Sequence, residues 1–468
     1  MSFSAGRFWV GIVLAFSFVG LPGGAKEGPD QVSLEILISP THHLYYLLES
    51  LIDEPHRSPQ MAATFRSRVG DWSPVQEALD LWKRSRESDD LSGLRLPKRE
   101  QRSANLGDVL ERVALDSSDA GDMTRRVQPW LGPEHSGRLG AALETLEPLQ
   151  RRLWWNQSLP NLQRRKDELL QQLARGDFST SLAHAQAFFV SDLDPLDPPR
   201  LALLPYQKGI GEDKSLTRGH SQGGLQVLEV VVDKPDPDAA GTVFHEFMHH
   251  LWMRQSPPQQ ERWEKAFQQH GAWGRTAYVQ LNEGLATALG NGWFAQRVTG
   301  RTDQGSWYAD PVIEAYGRAL YPIVSVPLEQ RRPPSDAELD QMVMAFRQAV
   351  PDALTRFDVV AADFGVISSR PEIEQAPFQM EIMRLGPVRW SRTRSWDDKP
   401  STSTFQVYWI RPDERTRLAT IGWKAQPFES YSLRQTRVGW QLAFIGEPTE
   451  LFVLLRKLAA GPLRPSSD

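Results

Sequence analysis

Residues Thr242–Trp252 read TVFHEFMHHLW, and the fold has to be built around this stretch. Within it, His245-Glu246-Phe247-Met248-His249 is an H-E-x-x-H pattern. On an α-helix, positions i and i+4 stand one turn apart on one face. Two imidazoles at that spacing can bind one ion at ~2.0–2.1 Å each. Glu246, next to the first, is angled away from direct ligation but close enough to meet a water in the site. The flanking residues predict the helix. Val243, Phe244, Phe247, Met248, Leu251 and Trp252 form an apolar stripe about half a turn wide. His245 and His249 fall at one border of it, half-buried and facing a cleft. Upstream, the β-branched run Leu225–Val232 predicts a strand, placed at the edge of a sheet beside the cleft. Pro235, Asp236 and Asp238 supply turn and N-cap chemistry between strand and helix. Downstream, Pro257-Pro258 ends the helix.

A catalytic zinc wants three protein ligands and one open position. His250 is too close in sequence and faces elsewhere on the helix. The extended pattern H-E-x-x-H-x-x-G-x-x-H is excluded, because Trp252 and Gln255 occupy the Gly and His positions. A second helical pattern, from about 276 to 298, contains Leu281-Asn282-Glu283-Gly284-Leu285-Ala286-Thr287. Gly284, Ala286, Ala288 and Gly290 keep that helix slim, so Glu283 can approach the histidines and complete a His₂Glu set.

The pair HEFMH and LNEGLAT resembles the gluzincin group of zinc metallopeptidases, which includes thermolysin and the zinc aminopeptidases. The resemblance covers residues 225–325. It implies one zinc ion on His245, His249 and Glu283, Glu246 as general base, and hydrolysis of peptide bonds. Members of the group often add a Tyr or His that stabilises the oxyanion. Tyr308, Tyr316 and Tyr321 follow the third ligand, and Tyr316 is the one favoured. Three departures stand out. Thr287 occupies the place of an acidic outer-shell partner, so a ligand histidine must be oriented in another way. Glu246 and Glu283 are 37 residues apart, a longer spacing than in the aminopeptidases. Gly223-Gly224-Leu225-Gln226-Val227 stands where aminopeptidases carry G-x-M-E-N, which argues against aminopeptidase activity.

Composition agrees with a metal centre of this kind. There is no cysteine among 468 residues, so thiol catalysis, disulfides and Cys-held metals are excluded. The formal net charge of −5 and the lack of a basic run argue against a nucleic-acid partner. Arg7 is the only charge before the uncharged run Phe8–Leu21, 14 residues long. That run is too short to span a membrane comfortably, and small residues follow it. Residues 1–25 therefore read as a secretory signal peptide. The mature protein is expected to be exported, to the periplasm or outside a bacterium, with no stable membrane insertion.

The fold class expected is α+β and mainly helical. A helical region (26–183) precedes a zincin-like core (184–330), a helical connection (331–394) and a small α+β module (395–468). Ala185–Val190 and Leu201–Leu204 read as short strands, and 207–224 as a hairpin or flap in which His220 faces substrate or solvent. Phe405–Ile410, Leu418–Trp423 and Tyr431–Ile445 read as β. His42-His43 open the first helix without an acidic partner at helical spacing. The partner expected is a peptide or protein substrate. The competing reading is a zincin-fold binding or assembly factor with little or no turnover.

Overall fold

Strand β1 (Glu35–Leu37) leads directly into helix α1 (Pro40–Leu51). Ser39 starts that helix: its hydroxyl accepts from the His42 N–H at 3.2 Å, and Pro40 fills the first position, where no N–H is needed. Helices α2 (Pro59–Arg68), α3 (Ser73–Arg86), α4 (Leu106–Asp116) and α5 (Ala120–Gln150) follow. A π turn (Arg151–Trp155) joins α5 to α6 (Asn156–Arg175) and α7 (Phe178–Phe189), which pack on the other face of the sheet that follows. The computed structural model describes residues 34–52, 58–86, 106–191, 199–206, 218–222, 225–302 and 304–370. It also describes 373, 378, 381–382, 385, 390–394, 403–421, 423 and 430–466. The signal-peptide segment and residues 207–217 and 223–224 of the expected flap lie outside these.

Ala185–Val190, expected as a strand, is instead the last turn of α7 and its C-cap, Val190. Phe178, Ser181, Leu182, Ala185, Phe188 and Phe189 recur at helical spacing and are all buried. The boundary expected at 183/184 therefore falls inside a helix. β1 also shares a sheet with the strands that follow, so the segment Val32–Asp468 forms one compact unit.

That sheet contains β2 (Arg200–Tyr206), β3 (Arg218–Gln222) and β4 (Leu225–Val231) in the order β1-β2-β4-β3. β1, β2 and β4 are parallel, and β3 runs antiparallel to β4. The expectation that Leu225–Val232 forms the edge is thus corrected. β4 is an interior strand with all seven residues buried, and β3 is the edge. A strand buried on both faces reads as a continuous apolar run. Leu228 and Val230 pack with Leu201 and Leu203 in one core, while Leu225 and Val227 pack with Ala202 and Leu204 in the other. The sheet is thus a wall between two helical layers.

Behind the first face lie α8 (Ala239–Met253), α9 (Pro257–Gln268) and α10 (Gly271–Ala286). A π-helical segment (Thr287–Phe294) continues α10 into α11 (Ala295–Thr299). Helices α12 (Pro311–Glu329), α13 (Asp336–Ala349) and α14 (Phe357–Val360) follow. The rest forms a second sheet, β5 (Asp363–Ser368), β6 (Trp390–Arg394), β7 (Phe405–Ile410), β8 (Tyr431–Thr436) and β9 (Gly439–Ile445), closed by α15 (Pro448–Ala459). Its order is β6-β5-β7-β9-β8. Two expectations change here. β5 and β6 fall in the stretch read as a helical connection, so this sheet draws on residues well before 395. Leu418–Ile421 belongs to 3₁₀ turns (Pro412–Ile421) and not to a strand. Among the described residues, no helix is long and apolar enough to cross a membrane. The class is α+β and mainly helical, as the sequence implied.

Candidate metal centre

Helix α8 is started from another element. Asp238 stands at the N-cap but makes no side-chain cap bond. Instead Gln172 of α6 caps the turn, its Oε1 accepting from Ala240 N at 3.1 Å and its Nε2 donating to Asp236 O at 2.7 Å. The apolar stripe sets the rotation of α8. Phe244 stacks on Phe294 with centroids 4.4 Å apart, and Phe178 meets Phe247 edge-on at 5.4 Å. Such pairs contribute roughly 0.5–1.5 kcal/mol each beyond their buried area. With those rings locked inward, His245 (5% exposed) and His249 lie at the stripe's border, as expected.

Glu283 comes close to them where glycine removes a side chain between the helices. A Cβ at Gly290 would fall 2.6 Å from the N, Cα and Cβ of His245, so α8 and the π segment touch at backbone level. Gly284 serves a different neighbour, since its Cβ would fall 2.9 Å from the Tyr316 ring.

The resulting geometry has three converging ligand atoms. His245 Nε2 and His249 Nε2 are 3.1 Å apart, and Glu283 Oε2 lies 3.6 and 3.7 Å from them. Ligands at ~2.0–2.1 Å from a tetrahedral ion stand about 3.3 Å apart. The second carboxylate, Glu246, also offers an oxygen within 4.8 Å of the two imidazole nitrogens. The imidazole pair is thus flanked by two carboxylates, Glu283 and Glu246. The hydrogen bonds behind the rings decide their tautomers. His245 Nδ1 donates to Asn291 Oδ1 at 2.9 Å and His249 Nδ1 to Asn282 Oδ1 at 3.0 Å. With both Nδ1 positions engaged by the asparagines, the two Nε2 atoms face each other and Glu283. Two ring nitrogens and a carboxylate so placed need a shared cation, a proton or a metal ion, between them. The donor set fits zinc.

Asn291 and Asn282 thus do the orienting that Thr287 cannot. Thr287 is fully buried and packs where a Gly317 side chain would otherwise be. Asn282 stands beside the ligand in the quoted motif, but Asn291 was missed. It is brought round by the π segment, whose widened turn leaves no mark in apolar periodicity. Replacing Asn291 with Leu should weaken zinc affinity roughly 10–100-fold without unfolding the chain. Competition against a chromophoric chelator measures this, and parental affinity would remove Asn291 from the site.

Glu246 is 5% exposed and lies under the edge strand. A Cβ at Gly219 of β3 would fall 2.6 Å from Glu246 Cγ and Oε1. Glycine lets the strand lie against that carboxylate where it stands. Burial pushes its pKa up to about 7, against the opposing influence of His249 and His220 and with a smaller upward push from Glu283. A base with a pKa near the working pH is the efficient kind.

The expected tyrosine is deeply buried. Tyr316 is fully buried in the core, with its ring 4.9 Å from that of Phe346 and its pKa raised by burial. Its partners at Gly284 and Leu320 are packing neighbours of α10 and α12. Tyr321 donates to Gln296. Tyr308, in the loop before α12, instead stacks on His245, with centroids 5.7 Å apart and planes 10° apart. Helical spacing singled out Tyr316, and a loop residue has no such signal.

The other histidines have separate settings. His250 is not in the metal-binding group, and burial first, then Arg254 and Arg112, push its pKa down to about 4. His42 Nε2 is 3.0 Å from Glu111 Oε1, a partner supplied by another helix. His43 Nδ1 accepts from Gln150 Nε2 at 2.6 Å, and burial holds its pKa down at about 3. His220 lies on β3 facing the N-terminal helices. Compared with protein-family models, curated proteins and solved structures, the chain matches none of them.

Proposed function

We propose that the chain is a zinc-dependent peptidase of zincin type, exported by its N-terminal segment. One zinc ion would be held by His245, His249 and Glu283. The observation that supports this most strongly is the convergence of the two Nε2 atoms and Glu283 Oε2, with the Glu246 carboxylate buried beside them. Bound there, zinc would polarise the reacting oxygen atoms and offset the charge that develops on them.

The chain's own residues supply the remaining steps. Glu246 takes the proton of the attacking water on its carboxylate and passes it to the amide nitrogen as the C–N bond breaks. Among the described strands β3 has a neighbour on one side only, so its outer edge offers main-chain hydrogen bonds to an extended peptide. Tyr308, stacked on His245, takes the oxyanion-stabilising role that the resemblance assigned to a tyrosine. Tyr308→Phe should keep its zinc and lose roughly 10²–10³-fold in kcat. Tyr316→Phe should change kcat little. The reverse pattern in steady-state kinetics would return the role to Tyr316.

A binding factor without turnover has no use for a carboxylate buried beside the ligands, which favours hydrolysis over that reading. The test is cleavage of an unstructured protein by the purified chain, before and after chelation and after zinc is restored. Chelator-sensitive, zinc-restored cleavage is expected. Zinc-loaded protein that cleaves nothing would support the binding reading.

A further inference from the structure

We infer that Glu111, on α4 of the N-terminal helical layer, is a positioning residue for the general base, acting through His220 to hold β3 against Glu246. The inference rests on the peptidase reading of Glu246. The Glu111 side chain is 1% exposed. Its Oε1 stands between two imidazoles, 3.0 Å from His42 Nε2 and 4.0 Å from His220 Nε2. The His220 ring stacks on Tyr46, centroids 5.5 Å apart and planes 16° apart. The Tyr46 hydroxyl donates to Glu229 Oε1 at 2.7 Å. Two helices, α1 and α4, thereby contact both strands: Tyr46 bonds Glu229 of β4 and stacks on His220 of β3, and Glu111 lies within ion-pair reach of His220, whose side chain is 23% exposed.

Strand alternation carries this grip to the site. Successive side chains point to opposite faces of a sheet. His220 points at the N-terminal helices, so its neighbour Gly219 points at α8 and meets Glu246. β3 is joined to β4 by five register pairs, and no described strand lies on its outer side. The β4 ladder holds one side of the strand, and Glu111 and Tyr46 bear on its far face at His220. A displacement of about 1 Å at a catalytic group, caused from a distance, can cost on the order of 10²-fold in rate. A buried carboxylate is a poor device for stability alone, because an apolar residue of similar size serves as well or better. Directing the edge strand gives it a use.

The test compares full-length, zinc-loaded Glu111→Ala with the parent. Zinc should remain at the parental content. Amide exchange over residues 218–222 should speed up about tenfold while 200–206 stays unchanged. The kcat on a peptide substrate should fall about 10–100-fold with KM held within about threefold, because the outer edge of β3 still pairs. Glu111→Gln, which keeps the bulk and a hydrogen-bonding group toward His42, should recover most of the lost rate. Should Glu111→Ala fail to fold, His220→Ala breaks the same contact from the strand side. Faster β3 exchange with parental kcat would reduce Glu111 to a packing residue and overturn the inference. Unchanged β3 exchange would overturn it as well. A zinc-loaded parent without any hydrolysis would overturn the peptidase reading first, and the positioning role with it.

Discussion

Glu246→Gln protein, loaded with zinc, should bind the metal as the parent does and hydrolyse protein substrates at least roughly 10²–10⁴-fold more slowly. The two expectations have separate causes. Zinc retention follows because the three proposed ligands, His245, His249 and Glu283, are untouched. The rate loss follows because an amide cannot accept the water's proton or return it to the leaving nitrogen. The change is nearly isosteric, so Gly219 can still cover the side chain. A neutral amide is also cheaper to bury than a carboxylate, so the variant should be no less stable than the parent. Folded, zinc-loaded Glu246→Gln protein that cleaves at the parental rate would remove the peptidase assignment.

The second large effect falls on the metal. His245→Ala and His249→Ala should each abolish tight zinc binding, since two ligands hold zinc poorly. Glu283→Gln should weaken it by more than the roughly 10–100-fold expected of an outer-shell change, because a ligand and a compensating negative charge are lost together. His250→Ala should leave zinc content at the parental value, since His250 is buried with Arg254 and Arg112 as its charged neighbours. Metal analysis of purified, folded variants reads all four. Full stoichiometry in His249→Ala, or metal loss in His250→Ala, would contradict the site as described.

These residues were legible because each belonged to a periodic or motif-bearing segment. The i, i+4 spacing of His245 and His249 and the small face of the Glu283 helix are local properties. Translating them into three dimensions needs only that both segments be helices and that glycine let them touch. Other parts depend on information that is not local. Arg218–Gln222, with the sequence RGHSQ, has none of the β-branched alternation of a strand; it is one through its ladder to β4. The strand that reads best from sequence, Leu225–Val231, is buried at every position, Gln226 and Glu229 included, because it is interior, and its apolar residues were read as an edge. Asn291 faces His245 only through a π segment. Gln172 caps α8 from 68 residues away. Tyr308 was outranked by Tyr316 because helical spacing gives a residue a face but does not say which neighbour that face meets. His42 had no acidic partner on its own helix, and Glu111 arrives from α4.

The most direct measurement is a crystal structure of the zinc-loaded protein with anomalous diffraction collected on both sides of the zinc edge. One peak is predicted per chain, about 2.0–2.1 Å from His245 Nε2, His249 Nε2 and a Glu283 oxygen. The Glu246 carboxylate should lie beside the metal without binding it. A peak ligated by Glu246 in place of Glu283, or zinc bound elsewhere with the three ligand atoms left bare, would contradict the assignment of ligand and base on which the proposed activity stands.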